Sequence, residues 1–543
     1  LRNFTVSWIR EHKILTALGV LLLLILALAI EVYSWRIGPH HDYELDARVL
    51  EPQGEQPGQL QVGVAKRDIS PDFNLYDTWQ DINGNSKYDE GVDVYEDRNG
   101  NGKFDGIWLA GFNTNRPAQG INDAPWVRAI ALRNNGVTLV MVTIDSVGIF
   151  ANEYITIRKS LDPALNIDHV MFSATHVHET PDTMKIWSYW KRVNWGDDQL
   201  DIPIFGYRED YMHMIQAKTK EAIEEAVQAL APADMYCAQV EIEPEGFVRD
   251  SRKPIVIDKR MSLFHFTKPG TQDTIATFVN WGNHPEALGG DNPIITSDFP
   301  HYLRVGLEDG VPAPNGVEGF GGMCLYFQGQ VGGLMTQLNM VVPHRDGVQS
   351  FKEDSFEKAE ALGYNLAIVA AKTLRDPERV WKNENPKIGY IAKTVMAEMT
   401  GQYKIPVMLG LIHEGYYAGG LSKSEMNVLR IGDVLILTVP GEIYPEITEG
   451  GIEAKPGNDF ELTAPVEVPP LRPTMEAKAK MAFIIGLAND QIGYIVPKSQ
   501  WDTKPPYVYE KSQYGEENSA GPNMAGLVHT TAMELMNEMN ASF

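Results

Sequence analysis

The sequence is poor in three things, and each shortage excludes something. Cysteine occurs only twice in 543 residues, as Cys237 and Cys324. Two thiols can pair with each other, but they rule out a disulfide scaffold and a four-cysteine zinc site. Positive charge is short: 47 Lys and Arg face 72 Asp and Glu, a formal net charge of −25. Such a surface repels a phosphate backbone, which removes nucleic acid as a partner. Long hydrophobic runs are scarce: Ile14 to Ile30 is an apolar run of 17 residues without a charge, and no other stretch is long and apolar enough to span. A multi-span membrane protein is therefore excluded. What remains is an ordinary globular composition, 43% hydrophobic and 22% charged. The chain is long enough to bury a large core without covalent staples.

The single apolar run follows Arg2, Arg10 and Lys13 and is flanked by Trp8, Tyr33 and Trp35. Basic residues before an apolar run, with aromatic flanks, describe a signal anchor. Residues 1–35 then form a cytoplasmic tip and one transmembrane helix, and the body lies in the periplasm or outside the cell. Ala27-Leu28-Ala29 supplies the competing reading, a cleaved signal peptide. Residues 36–59 carry Pro39, Pro52 and Pro57 without an apolar period and read as a linker. Residues 60–543 read as one catalytic body. Strand-like runs (Ala129 to Val147, His169 to Thr175, Thr274 to Trp281, Val428 to Val439) interleave with helical periods (Asp210 to Leu230, Ser355 to Leu374, Met524 to Met539). The expected fold class is α/β, with mixed β-sheets flanked by helices, preceded by the single transmembrane helix.

One short repeat stands out. Asp81-Ile-Asn-Gly-Asn-Ser-Lys-Tyr-Asp89 returns 16 residues later as Asp97-Arg-Asn-Gly-Asn-Gly-Lys-Phe-Asp105. Oxygen side chains fall at Asp81, Asn83, Asn85 and Asp89, and again at Asp97, Asn99, Asn101 and Asp105. This alternation is the oxygen spacing of a calcium loop. Position 12 is Val92 in one copy and Trp108 in the other, so neither copy is a full EF-hand. Asp93 and Glu96 can supply further carboxylates. The expectation is a Ca2+-stabilised insertion at about 78–108; a pair of Asn-Gly surface turns is the plain alternative.

Ligand-type residues gather at the ends of four apolar runs. The first is Ser173-Ala-Thr-His-Val-His-Glu-Thr-Pro181, in which an extended backbone sends His176 and His178 to one face. The second is Phe278-Val-Asn-Trp-Gly-Asn-His284-Pro285, followed by Thr296-Ser297-Asp298. The third is Pro440-Gly441-Glu442, just past a buried hairpin, and the fourth is Gly486-Leu-Ala-Asn489, followed by Tyr494. Imidazoles and carboxylates on strand ends are the raw material of a metal site. Taken singly, each is equally a polar strand end.

The order and wording of these segments resemble the neutral ceramidases, zinc-dependent amidases that cleave ceramide to sphingosine and fatty acid. That family's Thr-His-Thr-His-Ser-Gly-Pro is similar to Thr175-His-Val-His-Glu-Thr-Pro181. Its His-Pro-Thr is similar to His284-Pro285-Glu286, and its Pro-Gly-Glu to Pro440-Gly441-Glu442. The opening Val62 to Pro71 and the block Gly120 to Ala129 also resemble the family, so the likeness runs from about Leu60 to the end. It implies a zinc ion held by His176, His284, Glu442 and Tyr494. It leaves His178 and Asp298 to move or orient a proton. The implied substrate is a lipid-like or small amide, the membrane is met through one N-terminal helix, and the body is compatible with a homo-oligomer.

Departures are specific. The family's Gly-Asp-Val-Ser-Pro-Asn carries a serine important for activity. Here Gly333 stands at the aspartate position and Met335 at the serine position, with Thr336 beside it. Ser-Gly-Pro after the histidines has become Glu179-Thr180-Pro181. These changes leave two alternatives to an amidase open: a non-catalytic structural or binding protein on the same fold, or a hydrolase for an unrelated small substrate. Glu286, His413 and Glu414 are weaker cleft candidates, and Trp187, Trp190 and Trp195 are candidates for an apolar substrate wall.

Overall fold

The computed structural model describes residues 13–36, 40, 42–50, 58–195, 198–400, 403–404, 407, 416–417, 421–453, 462–509 and 514–541. Three sheets make the body. The first runs Ala231–Pro232, Gln61–Asp68, Trp126–Asn134, Val137–Ile144, His169–Ala174. The second runs Met323–Gln328, Thr274–Trp281, Arg260–Thr267, Asp234–Glu241, Trp381–Lys382. The third runs Asp46–Val49, Ile388–Glu398, Leu421–Ile431, Val434–Thr438, Met481–Ile485, with Tyr416–Tyr417 added beside Leu421–Ile431.

Each sheet is antiparallel except for one terminal parallel pair. Those pairs are built from the most apolar strands of the chain. Val137–Ile144, His169–Ala174, Met323–Gln328, Val434–Thr438 and Met481–Ile485 are buried at every position. Strands covered on both faces read as continuous apolar runs, and they suit parallel pairing. Inward faces of all three sheets meet in one core, with Leu132 and Met141 from the first, Phe264 and Phe278 from the second, and Leu429 and Phe483 from the third.

Helices cover the outer faces. Glu209–Gln228 buries Ile215, Ala222 and Ile223 against the first sheet. The close approach depends on Gly63, where a Cβ would stand 2.1 Å from the Ala226 carbonyl oxygen. Asp298–Glu308 and Phe356–Leu374 pack on the second sheet, and Ser355 caps the latter by accepting from the Lys358 N–H. Met524–Ala541 packs on the third. The two cysteines are free and buried on separate strands, Cys237 in Asp234–Glu241 and Cys324 in Met323–Gln328.

Two N-terminal expectations change. Lys13–Arg36 is helical, with Leu21 to Leu24 exposed. Among the described residues, however, no helix is long and apolar enough to cross a membrane. The expected transmembrane helix is therefore not upheld among the described residues. The uncharged run of 17 residues rises about 26 Å as a helix, at the short end of the range that spans a hydrocarbon core of about 30 Å. Within the stretch read as linker, Asp46–Val49 forms an edge strand on Tyr390–Lys393. Ala47 and Val49 alternate toward the core and supply the reason.

Candidate metal centre

The carboxyl ends of the parallel pairs converge, and the turns beyond them carry the site. His169–Ala174 ends before the histidines. Thr175 N–H bonds to the Ile144 carbonyl, and His176 then adopts φ +65°. The two imidazoles are thus aligned by a left-handed turn, not by the extended alternation expected from His-x-His. A non-glycine residue held there costs about 1–3 kcal/mol, and such strain concentrates at functional positions.

Five donor atoms come together. His176 Nε2 and His178 Nε2 are 3.4 Å apart. Glu442 Oε2 is 3.5 Å from His176 Nε2 and 3.2 Å from His284 Nε2. The Tyr494 hydroxyl is 3.4 Å from His284 Nε2. Among the described residues, His176, His178 and His284 form the group of three whose ligand atoms all lie within 4.8 Å of one another. Zinc bonds of roughly 2.0–2.1 Å in a tetrahedron place neighbouring ligands about 3.4 Å apart. The donor set and its spacing therefore fit a zinc-sized ion.

The mounts favour the same use. His176 Nδ1 lies 2.6 Å from the Val147 carbonyl, and His284 Nδ1 lies 2.6 Å from the Met335 carbonyl. Each contact keeps the ring proton on Nδ1 and turns the Nε2 lone pair inward. Gln491 Nε2 donates to Glu442 Oε1 at 3.0 Å, leaving Oε2 for the centre. Burial would raise the Glu442 carboxyl, but His176 and His284 hold it well below the usual carboxylate range. Burial, then the neighbouring histidines, keep His178 well below its ordinary value, so its imidazole is neutral. Burial and Glu442 push the Tyr494 phenol upward.

His176, His178, Glu442 and Tyr494 form one end of a cavity of about 470 Å³, with His284 behind its lining. Its walls are Phe112, Val147, Phe150, Met184, Ile186, Trp187, Met399, Val407 and Ile492, with Tyr403, Tyr514 and Asn518 as polar points. Gly111 has φ +94° and abuts His178, where an added Cβ would stand 2.4 Å from the histidine Cβ.

The structure thus brings together His176, His178, His284, Glu442 and Tyr494. Asp298 is elsewhere. Its carboxylate accepts from Ala287 N–H at 2.7 Å and Phe299 N–H at 2.5 Å, fully buried and outside the cavity lining. It ties down the turn after His284. Trp187 lines the cavity as expected for an apolar wall; His413 and Glu414 and the side chains of Trp190 and Trp195 lie outside the described residues.

One contributor was silent in the sequence. Arg116 donates to Glu179 Oε2 at 2.9 Å and to the His178 carbonyl at 2.7 Å. No local spacing reveals a partner 62 residues away. Glu286, expected as a cleft residue, sits with Thr336 behind His178 and outside the cavity lining. Met335, at the family's serine position, has its side chain in the core and lends only its carbonyl to His284. Met335→Ser is therefore expected to change turnover less than tenfold while destabilising the fold by about 2–4 kcal/mol, as truncation of a buried methionine does. An assay alongside a denaturant titration checks both halves.

The two calcium-type loops repeat in three dimensions. The Asp81 carboxylate accepts from the N–H groups of Gly84, Asn85 and Ser86, and Asp97 accepts from Gly100, Asn101 and Gly102. Asn83 and Asn85 amides donate to Asp89, and Asn99 and Asn101 amides to Asp105. Trp79, Tyr88 and Trp108, with Tyr95 and Phe104, pack into a small aromatic core beneath them.

No protein-family model matches the sequence, and no curated protein matches it. Solved structures do. The neutral ceramidase from Pseudomonas aeruginosa is 14% identical, with 89% of this chain and 75% of that chain covered at a TM-score of 0.59. A ceramidase complexed with C2 is 13% identical, with 88% and 75% covered at 0.57. This chain has the neutral ceramidase fold. At such identity the ceramidase likeness speaks for the fold, and the chemistry rests on the donor geometry.

Proposed function

We propose that the protein is a zinc-dependent hydrolase of the ceramidase type that cleaves an amide with an apolar, lipid-like portion. The observation that carries the reading is the convergence of three imidazoles, one carboxylate and one phenol at the end of an apolar cavity. A bound zinc ion supplies Lewis acidity at a carbonyl and an acidified water, with a pKa near ~7.

The chain's own residues do the rest. The apolar walls hold an acyl chain and exclude water from the reacting end. His178 lines the cavity with a neutral imidazole whose Nε2 faces the centre beside His176. Gln491 keeps Glu442 oriented, and Asp298 keeps the His284 turn in place. Apart from Glu442 and the two histidines, the described cavity lining has no acidic, basic or imidazole side chain. That supports an uncharged substrate. The test is a series of N-acyl amides of increasing acyl length, offered to the zinc-loaded protein. KM should fall as the acyl chain grows and then level off, and a carboxylate on the amine side should weaken binding. Protein that holds zinc and hydrolyses no N-acyl amide would overturn the reading.

Two further parts of the proposal stand apart from the chemistry. Calcium in the paired loops is supported by their matched geometry and by the eight side-chain oxygen donors named above. Saturating Ca2+ should then raise the melting temperature by several degrees over chelator-treated protein, as selective binding to the folded state requires. An unchanged transition would leave the loops as plain Asn-Gly turns. Placement of the body outside the cytoplasm rests on the basic, then apolar, N-terminal segment, whether it is retained or cleaved.

A further inference from the structure

Two of the three imidazoles have backbone carbonyls behind them, and the third does not. His178 Nδ1 has no hydrogen-bond partner by strict geometry. What faces it is a carboxylate: Glu286 Oε2, at 3.5 Å. Both side chains are buried, at 9% relative exposure each. The carboxylate is itself held, since the Thr336 hydroxyl donates to Glu286 Oε1. The backbone is tied as well. His178 N–H bonds to the Pro285 carbonyl at 3.0 Å, and Gly289 N–H bonds to the Glu286 carbonyl at 3.1 Å. Asp298 holds the next residue through Ala287 N–H.

Glu286 does not line the cavity, so it touches no substrate. It stands where the resembling family has threonine, and Thr336 adjoins the position of the family's serine. The two departures are therefore in contact with each other. We propose that Glu286, fixed by Thr336, is a positioning residue that commits His178 to the metal centre as a third imidazole donor. The inference rests on the metal-centre reading above and deepens it.

Two physical arguments support it. A carboxylate behind an imidazole fixes the Nδ1–H tautomer and makes Nε2 a better donor. The 3.4 Å spacing of His178 Nε2 from His176 Nε2 already matches two ligands of one ion. Charge is the second argument. A divalent cation buried with Glu442 alone leaves one positive charge without a partner, whereas Glu442 and Glu286 together neutralise it. Unbalanced buried charge is strongly unfavourable.

The experiment uses the full chain, stripped by chelator and titrated with Zn2+ and with Co2+. Affinity comes from competition with a chromophoric chelator, and geometry from the Co2+ visible band. Glu286→Gln keeps the shape and should weaken Zn2+ about tenfold. Glu286→Ala should weaken it up to about 100-fold, the range for partners that orient metal ligands. Both should alter the Co2+ band, and Thr336→Val should have a smaller effect of the same sign. The deciding comparison is made in a His178→Ala background, where Glu286→Gln should change affinity less than twofold. An equal loss in both backgrounds would show that Glu286 acts without His178 and would overturn the inference alone. Wild-type affinity unchanged by either Glu286 variant would do the same. Wild-type protein that binds neither ion tightly would overturn the metal-centre reading together with the inference.

Discussion

His284→Ala should purify without zinc and hydrolyse amides at least a thousandfold more slowly than the wild type. The expectation follows from the share of binding that one donor carries. Zinc sites in small domains are worth about 10–16 kcal/mol over four ligands, or roughly 2.5–4 kcal/mol each. At about 1.4 kcal/mol per tenfold, losing one ligand weakens binding by a factor of about 60 to 700. At this position the loss is compounded. His284 Nε2 is 3.2 Å from Glu442 Oε2, and its Nδ1 is seated on the Met335 carbonyl. Removing the ring leaves the buried Glu442 with His176 and Gln491 as its partners at the site. Glu442→Gln should reproduce the loss of zinc, because a neutral amide binds the ion more weakly while filling the same space. Metal content after dialysis against a mild chelator is the direct measurement. One zinc per chain in the wild type and none in either variant is the expected pattern. Zinc retained equally in all three would remove His284 and Glu442 from the centre.

The reach of the sequence in this protein follows from what is local. Strand-end motifs were legible because a run such as His169–Ala174 or Met481–Ile485 is mostly apolar and buried throughout, and a ligand residue just past such a run sits at a sheet's carboxyl edge. The runs supplied candidates, and the resemblance to the neutral ceramidases singled out His176, His284, Glu442 and Tyr494, which the fold brings together. The mixed α/β architecture was legible for the same reason, since period-2 and period-3.6 patterns alternate along the body. What failed depends on backbone turns and long-range contact. His176 is not extended, and no spacing rule anticipates a left-handed histidine. Asp298 reads like a proton carrier because it follows His284 closely, yet its oxygens are consumed by Ala287 and Phe299 N–H groups. Arg116 was invisible because its acceptors come from segments around residues 110, 178 and 290, which only the fold assembles.

The second large effect concerns that arginine. Arg116→Met should destabilise the protein by about 3–5 kcal/mol, the cost of leaving one member of a buried ion pair alone. The side chains of Arg116 and Glu179 are both at 0% exposure, joined at 2.9 Å. Arg116 also donates to the carbonyls of Ala110, His178, Asn292 and, at 3.4 Å, Gly289. The Ala110 contact leads into the cavity wall from Gly111 to Thr114, and the Phe112 ring meets the His178 ring edge-on at 5.1 Å. The double variant Arg116→Met with Glu179→Leu separates two contributions. It removes the orphaned carboxylate, so most of the pair's cost should return. The carbonyls still lack their donor, each worth about 1–3 kcal/mol when buried and unpaired. Stability should therefore rank wild type, then double variant, then Arg116→Met. Turnover should follow a different order. Both variants should lose at least tenfold in kcat, because neither restores the guanidinium that joins the His178 turn to the cavity wall. Denaturant midpoints and steady-state kinetics on the same three proteins read the two rankings. A double variant that regained wild-type kcat would reduce Arg116 to a partner for Glu179 and leave His178 positioned by other contacts.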